Sequence, residues 1–91
     1  MLGAPLFAVH PVEFTGAPAA FEEYYDHPGD EFLYVVEGSI EVDLLTPDGR
    51  QLHTLGPGDS LCYPGGTAHR WRTADPGAPV RVLTVQNAVR P

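Results

Sequence analysis

Ten glycines and ten prolines are spread along only 91 residues, and they fall between short apolar runs instead of gathering into one linker. That punctuation leaves little room for a helix, because no Pro- and Gly-free window of 11 or more residues sustains a 3.6-residue apolar period. Ile40, Val42 and Leu44 instead alternate with Glu41 and Asp43, the two-residue period of a strand with one buried face. The chain is therefore expected to be all-β. Strands are predicted near Leu6 to His10, Val12 to Thr15, Ala20 to Asp26, Glu31 to Glu37, Ser39 to Thr46, Gln51 to Leu55, Ser60 to Tyr63, Ala68 to Thr73 and Val80 to Gln86. Thr46-Pro47-Asp48-Gly49-Arg50 has the residues of a hairpin turn, Pro for a fixed φ and Asp-Gly for a positive one.

A chain of this length has room for one domain, expected over residues 1–91, and such a domain buries only about 60 to 65% of its unfolded surface. A bound metal or a second subunit would add the stability that so small a core leaves wanting. Phe32 to Val36 is apolar on both faces and calls for cover from two sides. One side is the interior; the other is a second layer built by the N-terminal strands or the same surface of another copy, and a homodimer is expected. Twelve acidic residues against five arginines and no lysine give a formal charge of −7, which excludes direct nucleic-acid binding by a basic surface. One cysteine, Cys62, rules out an intramolecular disulfide and a zinc site of several thiolates. Met1 to Ala8 lacks the pattern of a signal peptide, and no apolar run approaches the roughly 20 residues of a membrane span, so a cytoplasmic location is expected.

Two segments hold the residue types of a divided metal site. In the first, Tyr25, His27 and, across the Pro28-Gly29 turn, Glu31 can share one strand face. In the second, His69 follows the Pro64-Gly65-Gly66 turn and shares its face with Trp71 and Thr73. Together His27, Glu31 and His69 supply two imidazoles and a carboxylate, a set that suits one divalent transition metal such as Fe, Mn, Ni, Co or Zn. The alternative is a pair of polar barrel histidines satisfied by hydrogen bonds alone.

The spacing of these segments resembles the two motifs of the cupin superfamily. His27, three residues, Glu31, six residues, Gly38 fits the latter half of the first motif. Gly58, five residues, Pro64-Gly65-Gly66, two residues, His69 fits the second, with Thr73 in the place of its usual Asn. The likeness covers about residues 20–87 and implies a cupin-type double-stranded β-helix, or jelly-roll barrel. Tyr25 stands where the family's first histidine would be, and Ala19 where a glycine would be. Tyr25 is thus a possible fourth ligand, a partner of metal-bound water or a wall of the pocket; ligation as phenolate would need strong polarisation of a group with an ordinary pKa of about 10.

The runs His27-Pro28-Gly29-Asp30-Glu31-Phe32 and Tyr34-Val35-Val36-Glu37-Gly38 are especially similar to cupin domains that follow a helix-turn-helix in bacterial transcription regulators. That implies a sensor or effector-type domain that binds a small-molecule ligand. The alternatives are a stand-alone cupin metalloenzyme, either an Fe-dependent dioxygenase or a metal-dependent isomerase or decarboxylase, and a metal-free interaction domain. Tyr25, Leu33, Trp71 and Thr73 are expected to line the ligand pocket, Cys62 to fill a small core position, and His10 and His53 to lie at the surface. Arg70 and Arg72 should point away from His69 and pair with carboxylates.

Overall fold

The computed structural model describes residues 7–64 and 66–89, with side chains over 12–64 and 66–86. Seven strands run as β1 (Phe7–Thr15), β2 (Asp30–Glu37), β3 (Ile40–Thr46), β4 (Gly49–Leu55), β5 (Ser60–Pro64), β6 (Ala68–Thr73) and β7 (Arg81–Val89). They form two antiparallel sheets, ordered β1-β7-β2-β5 and β4-β3-β6. This is the all-β architecture that the punctuation and the period-two alternation predict, and its two sheets form the jelly-roll barrel that the cupin resemblance implies. Among the described residues no helix is long and apolar enough to cross a membrane.

The core lies between the sheets and follows from strand parity. Leu33 and Val35 of β2, Ile40, Val42 and Leu44 of β3, and Val82 of β7 turn inward and are buried. Each such side chain contributes roughly 1.5–3 kcal/mol on leaving water. The turn from β2 to β3 depends on Gly38, whose φ is +77° and where a Cβ would collide with the carbonyl oxygen of Pro79.

Several expectations need correction. The two N-terminal strands are one continuous β1, because Pro11 sits in an edge strand where its missing N–H costs no ladder bond. No strand forms over Ala20 to Asp26; that segment pairs only through an isolated bridge of Tyr25 with His69. β1 extends the first sheet beyond β7 instead of layering over it, so the outward residues Phe32, Tyr34 and Val36 stay 36%, 36% and 39% exposed. Cys62 is exposed, because Tyr63 takes the inward position on β5. His53 is half-buried beside Gln51, while the His10 side chain lies outside the described residues.

The segment before β2 is held down by side chains. Asp43 points outward from β3, yet it is fully buried, because Arg50, Arg70 and Tyr24 close over it. The Nε atoms of both arginines and the Tyr24 hydroxyl donate to its carboxylate at 2.8, 2.8 and 2.7 Å. The Arg70 guanidinium also lies 4.1 Å from the Tyr24 ring centre, and Arg72 lies 4.2 Å from that of Phe21. Arg72 pairs with Glu41 at 2.8 Å, so both β6 arginines face carboxylates as expected. Phe21 and Tyr24 thereby strap residues 21–25 across the outer face of the second sheet.

Burial alone would push the Asp43 carboxyl up; the hydrogen bonds from Arg50, Tyr24 and Arg70, with the attraction of the Arg50 charge, outweigh it and hold the group below its ordinary value. Because the folded value is the lower one, this stabilisation is complete above the unfolded pKa of about 3.9 and is lost as pH falls through the folded value. Asp43→Ala is expected to cost about 2 kcal/mol at neutral pH, between the surface and fully buried limits for ion pairs. Urea unfolding should show that difference shrinking below about pH 4.

Candidate metal centre

Glu31 enters the interior through the strand register. On β2 it stands opposite Tyr63 of β5 on one side and Gln86 of β7 on the other. Both neighbours donate to it: the Tyr63 hydroxyl to Oε1, and Gln86 Nε2 to Oε2 at 2.9 Å. Glu31 and Tyr63 are each 5% exposed. Burial, then the hydrogen bond to Glu31 and the nearby negative charge, push the Tyr63 phenol far above its ordinary value, so it stays a protonated donor.

His69 faces Glu31 from the opposite sheet. Its strand pairs with Leu44 of β3, and its main chain exchanges two hydrogen bonds with Tyr25, at 2.8 and 2.9 Å. Tyr25 thus anchors the strap, and His27 follows two residues later in the loop leading to β2.

The histidine tautomers fix the chemistry. His69 Nδ1 lies 2.7 Å from the Thr67 carbonyl oxygen and His27 Nδ1 lies 3.1 Å from that of Pro28. A carbonyl only accepts, so each Nδ1 carries a proton and a neutral ring keeps its lone pair on Nε2. These Nε2 atoms point at Glu31, His69 at 3.4 Å from Oε1 and His27 at 3.5 Å from Oε2. Both separations exceed the roughly 2.7–2.9 Å of a charge-assisted hydrogen bond. His27 Nε2 is buried without any hydrogen-bond partner among the protein atoms.

Three acceptor atoms, one from each residue, thus converge within 4.8 Å of one another. With both rings neutral, such a cluster repels itself; a metal ion or an imidazole proton between its members relieves the repulsion. Two ligands about 2.1 Å from one ion at a tetrahedral angle stand about 3.4 Å apart, and at most about 4.2 Å apart across it. The imidazole–carboxylate separations, 3.4 Å to Oε1 and 3.5 Å to Oε2, each fit that spacing, whereas the 4.8 Å spread of the three-atom set is wider than one ion spans. Full closure on an ion would draw the loop-borne His27 slightly inward.

The cluster forms the floor of a cavity of about 650 Å³. Phe14 and Trp71 make one wall, their rings edge-to-face at 5.5 Å. Tyr25 borders it as a residue 61% exposed, held by its main-chain hydrogen bonds to His69. Thr84, Gln86 and Arg70 add polar groups to the lining, and Glu22, Glu23 and Asp26 add carboxylates. Leu33 and Thr73 do not line this cavity. Leu33 lies one inward step deeper than Glu31 and is core, while Thr73, four residues beyond His69 and so roughly 13 Å along the strand, borders a separate depression.

Sequence reasoning passed over Tyr63, Gln86 and Phe14. The signal for Tyr63 was its parity on a short strand; no local signal marks Gln86 or Phe14, which reach the site by pairing far along the chain.

A two-sheet β-barrel with imidazole and carboxylate groups converging at one end of its interior defines the class. The chain belongs to the cupin family: the Cupin domain model matches residues 12–86. No curated protein matches it significantly. Among solved structures it is similar to hydroxypropylphosphonic acid epoxidase from S. wedmorenis in complex with fosfomycin, with a TM-score of 0.74 and 20% identity over 86% of this chain and 43% of that one. An Fe(II) form of HppE with an alternative substrate gives 0.72 and 21%, over 86% and 42%. A variant of oxalate decarboxylase from Bacillus subtilis gives 0.76 and 23%, over 89% and 21%. The chain thus spans less than half the length of each, and at these identities the likeness is one of fold.

Tyr63→Phe should leave the Glu31 carboxylate short of a buried donor and destabilise the chain by about 1–2 kcal/mol in urea unfolding. Tyr34→Phe, on the exposed face of β2, should cost less than about 0.5 kcal/mol.

Proposed function

We propose that this chain is a metal-binding cupin barrel in which His27, Glu31 and His69 hold one divalent transition metal, and that a small molecule enters the cavity above them in a sensor or effector role. The observation that carries the metal is the convergence of three acceptor atoms, with His27 Nε2 buried and unpartnered. Fe, Mn, Co, Ni and Zn all suit two imidazoles and a carboxylate. Bound there, the metal would act as a Lewis acid toward a ligand oxygen. Tyr63 and Gln86 hold the Glu31 carboxylate in place, the Thr67 and Pro28 carbonyls fix both imidazoles with Nε2 inward, and Phe14 and Trp71 give the cavity one apolar wall. The sensor role rests on the likeness of the His27 to Phe32 and Tyr34 to Gly38 runs to regulator-linked cupin domains.

A second reading is a metalloenzyme. The cavity is lined by His27, Glu31 and His69, so a substrate could reach the metal; among the similar structures is one of Fe(II)-HppE with an alternative substrate. Conversion of a bound candidate would establish it; saturable binding without product favours the sensor.

Protein purified without chelator should carry close to one transition metal per chain by elemental analysis, and His27→Ala or His69→Ala should abolish it while circular dichroism stays β-rich. Metal at 100 times its Kd should stabilise the native chain by about 2.7 kcal/mol. A folded chain that refuses added metal would overturn the proposal.

We also propose a homodimer through the outer face of the first sheet, where Phe32, Tyr34 and Val36 are exposed beside the half-buried Leu83 and Val85 of β7. Sedimentation should show concentration-dependent association that Phe32→Glu abolishes; a native monomer at every concentration would remove this proposal.

A further inference from the structure

We infer that the cavity is selective by charge: it takes a neutral or cationic molecule with a flat apolar body and an oxygen-bearing head, and it disfavours small anions. The inference rests on the metal reading above for the head group and on the cavity walls for the rest.

The flat body is asked for by aromatic surface that the core does not consume. Phe14 is 42% exposed and Tyr25 61% exposed, and both border the cavity with Trp71. The charge preference comes from the rim. Glu22, Glu23 and Asp26, all exposed, line the opening, whereas Arg70 is the only cationic residue among the described lining residues. Arg70 is already engaged: Nε lies 2.8 Å from the buried Asp43 carboxylate, one terminal nitrogen donates to the Glu22 carbonyl at 2.9 Å, and the guanidinium sits 4.1 Å from the Tyr24 ring centre. Asp43 is shared with Arg50 and so cancels only one of the two guanidinium charges, but Arg70's donors toward Asp43 and Glu22 are taken, and an incoming anion meets three rim carboxylates against that single residual charge. A metal on the floor would offer a positive charge, but Glu31 offsets part of it. A neutral molecule reaches the metal without crossing that barrier, and a cationic tail gains from the rim.

The test uses the full chain loaded with Zn²⁺, which is redox-inert, and follows quenching of Trp71, the sole tryptophan. Dopamine, 4-methylcatechol and 3,4-dihydroxybenzoate share one chelating head and differ in tail charge; oxalate serves as the small dianion. Dopamine and 4-methylcatechol should bind at least tenfold more tightly than 3,4-dihydroxybenzoate and oxalate. The gap should narrow several-fold in 1 M NaCl, where the screening length falls to about 3 Å, and likewise in the Glu22→Gln, Glu23→Gln, Asp26→Asn chain. Oxalate or 3,4-dihydroxybenzoate binding as tightly as 4-methylcatechol would overturn the inference, as would failure of both dopamine and 4-methylcatechol to bind. Zinc content is measured before any probe is added; a chain without zinc overturns the metal reading itself, a result distinct from a zinc-loaded chain that shows no charge preference.

Discussion

The ion pairs at Asp43 are the constraint on which the site depends. A carboxylate on the outer face of β3 would ordinarily be solvated, and burying it is costly unless cations and donors replace the lost water. Arg50, Arg70 and Tyr24 do so together, and in closing over Asp43 they pin the segment that crosses the second sheet. That segment carries Tyr25 into its bridge with His69, and so delivers His27 to the mouth of the barrel. Without the clasp, a stretch with only one bridged residue would have little to hold it.

The second determinant is register. Glu31, Tyr63 and Gln86 are 55 residues apart at their extremes, yet adjacent pairing of β5, β2 and β7 sets them side by side. A slip of one residue would turn Glu31 to solvent and bring Phe32 inside. The buried core residues Leu33 and Val35 on the same strand oppose that slip. The apolar core and the polar site are therefore secured by one alternation.

Membership of the cupin family accounts for the barrel and for the placing of the His69 turn. The departures are what individualise the chain. Tyr25, which stands where the family motif has a histidine, gives its backbone to His69 and borders the cavity with an exposed side chain. The acidic rim and the occupied Arg70 make the opening of this cavity electrostatically unlike a receptor for anions.

Much was legible in the sequence. Gly and Pro spacing determined the all-β class and most of the strand positions from Glu31 onward, because turns demand those residues locally. Period two over β3 and β6 determined which residues face inward, and the spacing of His27, Glu31 and His69 brought the three candidate ligands into view. The fate of Ala20 to Asp26 was not legible, since its β-like composition was overridden by arginines contributed from strands 29 to 51 residues beyond Phe21. Nor was Cys62, whose exposure depends on the side chain of Tyr63 claiming the interior. Local propensity and parity are properties of neighbouring residues, so the sequence determined them by itself. Which donors meet Glu31, which cations cover Asp43 and which aromatic rings wall the cavity depend on pairings between distant strands, and only the tertiary structure decided those.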